Sequence, residues 1–265
     1  GALEVALEGW SAADQRRLRQ LVPENRRQAY EVRAVIETLA DSGAVLELRR
    51  EFGAGVITAL ARIEGRPVGI VASNPRHLGG AIDAPACDKM ARFLRLCDTF
   101  GLPIVSLCDT PGFMVGPDSE KGAMVRHASR LFIIGASLTV PFMTVVLRKG
   151  YGLGAQAMSG GHFHSPLFTV AWPTGEFGAM GLEGAVRLGL AKQLEAAHDA
   201  EARDRMFRQA VDALYQRGKA LSTASYLEID NVIDPAQTRQ WLLRGLASAP
   251  VPKAGEGGRG YIDPW

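Results

Sequence analysis

Apolar residues recur along the chain in two rhythms, and their alternation sets the expected elements. Tyr30, Val32, Val35, Ile36 and Leu39 lie at helical spacing and predict a helix over 30–39, stopped near Gly43. Upstream, Ser11 with Asp14 three residues on resembles a capping box before a solvent-facing helix over 15–21. Residues 45–52 alternate loosely, as a strand does. Two apolar runs, 56–63 and 67–73, flank Glu64, Gly65 and Arg66 and predict a β-hairpin with a three-residue loop.

Beyond Ser73 strands and helices take turns. Asp83 can cap a helix running to about Phe100, with Pro85 in its first turn and Gly101 after its end. A short buried strand over 104–108, a helix over 120–134 and a strand over 140–147 follow. Then come a brief helix over 152–158, a strand over 167–172 and helices over 182–190, 201–216 and 235–246. Repeated strand-then-helix steps predict a mostly parallel sheet covered by helices. The expected organisation is one α/β domain over 44–249, a helical N-terminal arm over 1–43 and a Pro/Gly-rich, poorly ordered tail over 250–265.

Composition narrows the function classes. Of 265 residues 47% are hydrophobic and 22% charged, ordinary for a globular protein with an ample core. A net charge of +2 without basic clustering argues against a nucleic-acid surface. Cys87, Cys97 and Cys108 are odd in number and lack C-x-x-C spacing, which fits neither a zinc site nor a disulfide framework and makes a cytoplasmic setting the expectation. No apolar run reaches membrane-spanning length, and no signal-peptide pattern opens the chain. The first residue is Gly1 and not methionine, so a segment of a longer polypeptide is an open expectation.

The candidate chemistry sits at three glycine-rich strand ends: Leu78-Gly79-Gly80-Ala81, Asp109-Thr110-Pro111-Gly112-Phe113 and Tyr151-Gly152-Leu153-Gly154-Ala155. Ligands of open α/β sheets gather at such ends, and glycine permits close backbone approach. The third segment opens a helix, whose free N–H groups suit an anion. No nucleophile elbow or phosphate loop occurs, and Gly150, Gly152 and Gly154 have the wrong spacing for a dinucleotide fingerprint. His162 and His164 lack a supporting third metal ligand, so no metal is expected. In the plain alternative the glycines are turns, Phe113 is core, His127 is packed or solvated and Lys149 is a solvated strand-end charge. What remains is chemistry in which preorganised backbone donors stabilise an enolate-like oxyanion.

At this point the residues resemble a family. The segments Leu21-Val22-Pro23-Glu24-Asn25, Ala29-Tyr30-Glu31-Val32 and Ala61-Arg62-Ile63-Glu64-Gly65-Arg66-Pro67-Val68-Gly69 are similar to the C-terminal half of biotin-dependent acyl-CoA carboxyltransferases, of the propionyl-CoA carboxylase β type. The likeness continues through Lys89-Met90-Ala91-Arg92-Phe93, Leu107-Cys108-Asp109-Thr110-Pro111-Gly112-Phe113, Arg148-Lys149-Gly150-Tyr151-Gly152 and Met180-Gly181-Leu182-Glu183-Gly184, over about residues 21–250.

The resemblance implies a crotonase-like fold with repeated ββα units. It also implies transfer of a carboxyl group from carboxybiotin to the α-carbon of an acyl-CoA, with biotin, not a side chain, removing the α-proton. By position it puts the oxyanion donors at Leu153 and Gly154, or one residue on at Gly154 and Ala155. Gly79, Gly80, Ala81, Phe113, Met114, Tyr151, Gly152 and Gln156 then line the substrate. Gln156 stands where the family commonly has an acid, and Val115 where it often has a proline. The implied partners are acyl-CoA, a separate biotinyl carrier, biotin carboxylase, an N-terminal carboxyltransferase half and further copies of the chain. The carboxyltransferase of a decarboxylase, a non-catalytic half and a plain hydratase are the competing readings.

Overall fold

The computed structural model describes residues 9–249; the expected tail over 250–265 lies outside them. Eight strands form one sheet: β1 (Leu46–Leu48), β2 (Val56–Ile63), β3 (Arg66–Ser73), β4 (Ile104–Thr110), β5 (Phe142–Tyr151), β6 (Phe168–Ala171), β7 (Glu176–Gly178) and β8 (Asn231–Val232). The order is β1-β2-β3-β4-β5-β6-β8, with β7 also on β5. The β1–β2 and β2–β3 pairs are antiparallel and all later ones parallel. The hairpin loop is two residues long, not the expected three. Arg66 already pairs with Ile63, and Glu64 and Gly65 take φ of 49° and 71°, the positive pair that a tight hairpin needs.

Among the described residues eleven α-helices accompany the sheet: α1 (Leu18–Leu21), α2 (Val32–Leu39), α3 (Ala84–Thr99), α4 (Pro117–Lys121), α5 (Met124–Ser137), α6 (Gly152–Met158), α7 (Leu182–Gly189), α8 (Ala191–Glu195), α9 (Ala200–Arg217), α10 (Ala220–Ser225) and α11 (Thr238–Ser248). Two strands precede a helix at β2–β3–α3 and β6–β7–α7, whereas β4 and β5 each lead directly into one.

Local chemistry explains most boundaries. Asp83 caps α3 by accepting from the Ala86 N–H at 3.0 Å, with a proline in the first turn. Asp14, not Ser11, caps the first helical turn, accepting from the Arg16 N–H. The helix expected over 120–134 is two, because Ala123 takes the left-handed conformation between α4 and α5. Likewise Arg49, at φ 55°, ends β1 early.

Both faces of the central strands are buried, as parallel strands require. One face packs Ile70, Val105 and Val145 under Leu18, Val32, Ile36 and Leu242 of α1, α2 and α11. The other packs Val71, Cys108 and Val146 under Met90, Leu131 and Ala155 of α3, α5 and α6. A smaller cluster joins Tyr151 to Leu182, Val186 and Val211 of α7 and α9.

Candidate active site

The site grows from an irregularity where β4 meets β5. Cys108 pairs with Val146 and Thr110 with Gly150, so Asp109 alone faces Leu147, Arg148 and Lys149. The ladder opens, and the fully buried Asp109 carboxylate fills the gap. Its Oδ1 accepts from the Lys149 N–H at 3.0 Å, and its Oδ2 from Arg148 Nε at 3.2 Å and Nη2 at 3.1 Å. Arg148 Nη1 donates onward to the carbonyls of Asn25 at 3.0 Å and Gln28 at 2.9 Å, and its guanidinium lies 5.0 Å from the Tyr30 ring centre. One buried acid thus ties the Leu21-to-Tyr30 segment to the end of the sheet.

Three glycine-rich segments converge above this joint. A β-carbon on Gly80 would lie 2.4 Å from the Asp109 carbonyl oxygen, and Gly80 has φ 93°, so the turn rests on β4 only as glycine. The Ile82 N–H donates to the Gly112 carbonyl at 3.0 Å and the Met114 N–H to that of Ile82 at 2.8 Å. On the far side, a β-carbon on Gly154 would lie 2.7 Å from Gly112 Cα. The order is therefore turn, loop, helix: Gly79, Gly80 and Ala81, then Thr110 to Met114, then the start of α6.

Each residue expected at the site can now be placed. Gly79 and Leu153 are exposed, Gly80, Ala81, Gly154 and Ala155 buried, and Phe113 and Met114 half-buried. Phe113 packs edge-on to Phe132, with 6.4 Å between ring centres. Tyr151 precedes the helix, but its side chain points into the cluster beneath α7 and α9. It offers no side-chain cap, so the first-turn N–H groups of α6 have no partner from that residue. Gly152 and Gln156, one turn apart on α6, line a separate cavity of about 590 Å³ with Phe163, Phe177, Met180 and Leu214.

Reading the residues in order misses the charged groups behind the wall. Lys149 is not a solvated charge: its side chain is 13% exposed, and Nζ donates to the Gly79 carbonyl at 2.5 Å. Burial pulls its ammonium below the usual lysine range, against the opposing pull of Asp109. Glu176, in register with Lys149 on β7, is buried with no hydrogen-bond partner on either oxygen. The sequence signal was an acid ending the apolar 104–108 run and a basic pair ending the 140–147 run. Among the described residues no cluster of three or more His, Cys, Asp or Glu could hold a metal ion, and no helix is long and apolar enough to cross a membrane.

Comparison with known proteins places this geometry among relatives. The family described as the carboxyl transferase domain matches residues 5–250. The methylmalonyl-CoA carboxyltransferase 12S subunit of Propionibacterium freudenreichii subsp. shermanii is 38% identical over 236 residues, 88% of this chain and 43% of that subunit. The chain thus spans less than half of that relative. The solved transcarboxylase 12S hexamer with methylmalonyl-CoA bound has a TM-score of 0.81 at 34% identity, over 95% of this chain and 49% of that one. A single-chain, multi-domain long-chain acyl-CoA carboxylase has a TM-score of 0.83 at 56% identity, over 89% of this chain and 23% of that one.

Proposed function

The chain belongs to the carboxyl transferase domain family, and from that premise we propose that it is the biotin-side half of an acyl-CoA carboxyltransferase with a crotonase-like fold. The observation that carries the reading is the uncapped first turn of α6, set at the end of β5 between two glycine-rich walls. In a helix that begins directly after Tyr151 the first intrahelical bond runs from the Ala155 N–H to the Tyr151 carbonyl. That leaves the N–H groups of Leu153 and Gly154 as free donors. Leu153 is compatible with this role, since it is not among the residues of positive φ and its side chain turns outward.

When bound, carboxybiotin on a separate carrier supplies the carboxyl group and the base that takes the α-proton. The chain's own part is electrostatic. The Leu153 and Gly154 N–H groups would hold the ureido oxygen of a bound biotin and favour negative charge there, an effect of roughly 100- to 1000-fold per donor in comparable sites. The backbone fits such a group because these donors face no side chain of their own, and Gly79, whose added β-carbon would meet nothing within 4 Å, leaves the opposite wall open. Gly79, Gly80, Ala81, Phe113 and Met114 then border the biotin and acyl groups. The acyl-CoA enolate is held by an N-terminal half from a neighbouring copy or segment, within a cytoplasmic homo-oligomer.

The cavity beside Gly152 and Gln156 favours an acyl group longer than propionyl. It is mostly apolar, Gly152 at its edge immediately precedes the donors, and the relative with 56% identity is described as a long-chain acyl-CoA carboxylase. The test is biotin-dependent decarboxylation of malonyl-CoA by the chain alone and with its N-terminal half. Activity only in the combined sample is expected; robust activity of the chain alone sinks the half-site reading. A series of acyl-CoA chain lengths in the combined sample tests the cavity, with a preference for short acyl groups counting against it.

A further inference from the structure

We propose that Lys149 is a positioning residue whose ammonium fixes the Leu78–Gly80 turn at the mouth of the site. The inference rests on the carboxyl-transfer reading only for its catalytic consequence; the positioning itself stands on geometry. The turn (Leu78–Gly80) is short and carries left-handed conformations at Leu78, Gly79 and Gly80, with φ of 48°, 63° and 93°. Of the three only Leu78 is strained, since glycine adopts positive φ freely, and a strained residue persists only where its surroundings hold it. Within the turn the Gly80 N–H donates to the His77 carbonyl at 2.9 Å and the Ala81 N–H to the Leu78 carbonyl at 3.1 Å. Gly79 itself is exposed, and a β-carbon placed on it would meet nothing within 4 Å. Its carbonyl is therefore the handle by which the rest of the protein can grip it.

Lys149 supplies the grip. Its Nζ donates to the Gly79 carbonyl at 2.5 Å, a charge-assisted bond across 70 residues of sequence. The lysine is itself held from two sides. Its N–H is bonded to Asp109 Oδ1 at 3.0 Å, and its Nζ lies 3.8 Å from that same oxygen. On its other edge it is in register with Glu176. Arg148 and Arg26 are the neighbouring cations. A lysine so enclosed has few other places to put its ammonium, and this separates a positioning contact from a chance surface one.

The link to the site is direct. Lys149 stands two residues before Tyr151, which directly precedes α6, so one short stretch of β5 sets both the helix start and the opposing turn. Releasing the turn shifts the wall facing the Leu153 and Gly154 donors, and misplacement of about 1 Å near reacting groups can lower a rate by on the order of 100-fold. The ammonium also contributes a fixed positive charge behind the wall, and its bond to Gly79 adds to the seating of Gly80 on the Asp109 carbonyl in holding the wall.

The test uses Lys149→Met and Lys149→Arg in the chain assembled with its N-terminal half. Hydrogen exchange at the Gly80 and Ala81 amides reads the turn without reference to activity. Exchange faster by about 10-fold in K149M, largely restored in K149R and unchanged within α3, is expected; equal exchange in K149M and wild type overturns the inference. Kinetics then read the consequence. A fall in kcat of about 10- to 100-fold in K149M, with KM for acyl-CoA within about twofold, is expected. A mobile turn with kcat unchanged overturns the positioning role. A wild-type assembly that exchanges as expected yet transfers no carboxyl group overturns the proposed function instead, and leaves Lys149 as the holder of the turn. If K149M folds poorly, Lys149→Gln takes its place: faster exchange at Gly80 and Ala81 supports the inference, and exchange equal to wild type overturns it.

Discussion

Asp109 of β4 and Glu176 of β7 lie on opposite edges of β5 near Lys149, and both are buried acids. Asp109 is saturated: Arg148 reaches one oxygen and the Lys149 N–H the other. Glu176 has no hydrogen-bond partner on either oxygen. Burial therefore pushes its carboxyl above the usual range, with the charges of Arg26 and Lys149 opposing the rise and that of Asp109 adding to it. The β4 edge is an ionic joint that must stay charged to hold. The β7 edge is a carboxyl that the fold keeps most easily when protonated. The rigid side is the one beneath the glycine turn, where the proposed site needs fixed backbone.

Breaking the saturated side is expected to have the largest effect. Asp109→Ala leaves Arg148 buried with a lone positive charge and only backbone carbonyls as partners. Removing one member of a buried pair typically costs about 3–5 kcal/mol. Urea unfolding of D109A against wild type measures it. A loss below about 1 kcal/mol would show that Asp109 behaves like a surface ion pair and would erase the contrast with Glu176.

That contrast also marks where the sequence was readable. Helices α3 and α6 and the strands β2 to β5 follow from apolar periodicity, the Asp83 cap and the proline in the first turn of α3. The meeting of the glycine-rich ends follows too, because parallel strands bring their C-terminal ends to one side. Residues whose role depends on register were not legible. Nothing in the sequence distinguishes the buried acids Asp109 and Glu176 from other acids, and only the gap between Cys108 and Thr110 in the pairing shows that Asp109 receives donors. Strands β7 and β8, of three and two residues, carry too little pattern to be seen. The left-handed Ala123, which divides α4 from α5, has no local signal, since alanine is an ordinary helix former.

The unpartnered side is expected to respond to pH. The folded carboxyl of Glu176 is raised above its ordinary value of 4.5. The folded protein therefore binds more protons than the unfolded chain between those two values, and stability falls as pH rises through that window. Glu176→Gln cannot ionise, so it escapes this loss. The melting temperatures of E176Q and wild type should differ least in acid. The variant should gain as pH rises above the ordinary carboxylate range, by roughly 1 kcal/mol per unit of the rise in pKa. A constant difference at all pH values means that Glu176 does not titrate in the window, and the two acids are then alike.

The smallest effect sharpens the comparison most. Arg26 pairs with Glu183 at 2.8 Å, with side chains 22% and 36% exposed, so its loss should cost under about 1 kcal/mol. Its charge also opposes the rise in Glu176. In Arg26→Met, Glu176 loses that help, and the upper end of its titration window should move to higher pH. The lower end, set by the unfolded chain, stays where it was. A double-mutant cycle with E176Q separates this coupling from the lost ion pair to Glu183, because the pair with Glu183 is removed equally in both backgrounds. If the pH dependence of the E176Q gap is the same with and without Arg26, that cation does not act on the carboxyl. The β7 edge then owes its difference from the β4 edge to burial, to the missing donors and to its nearer charges, not to Arg26.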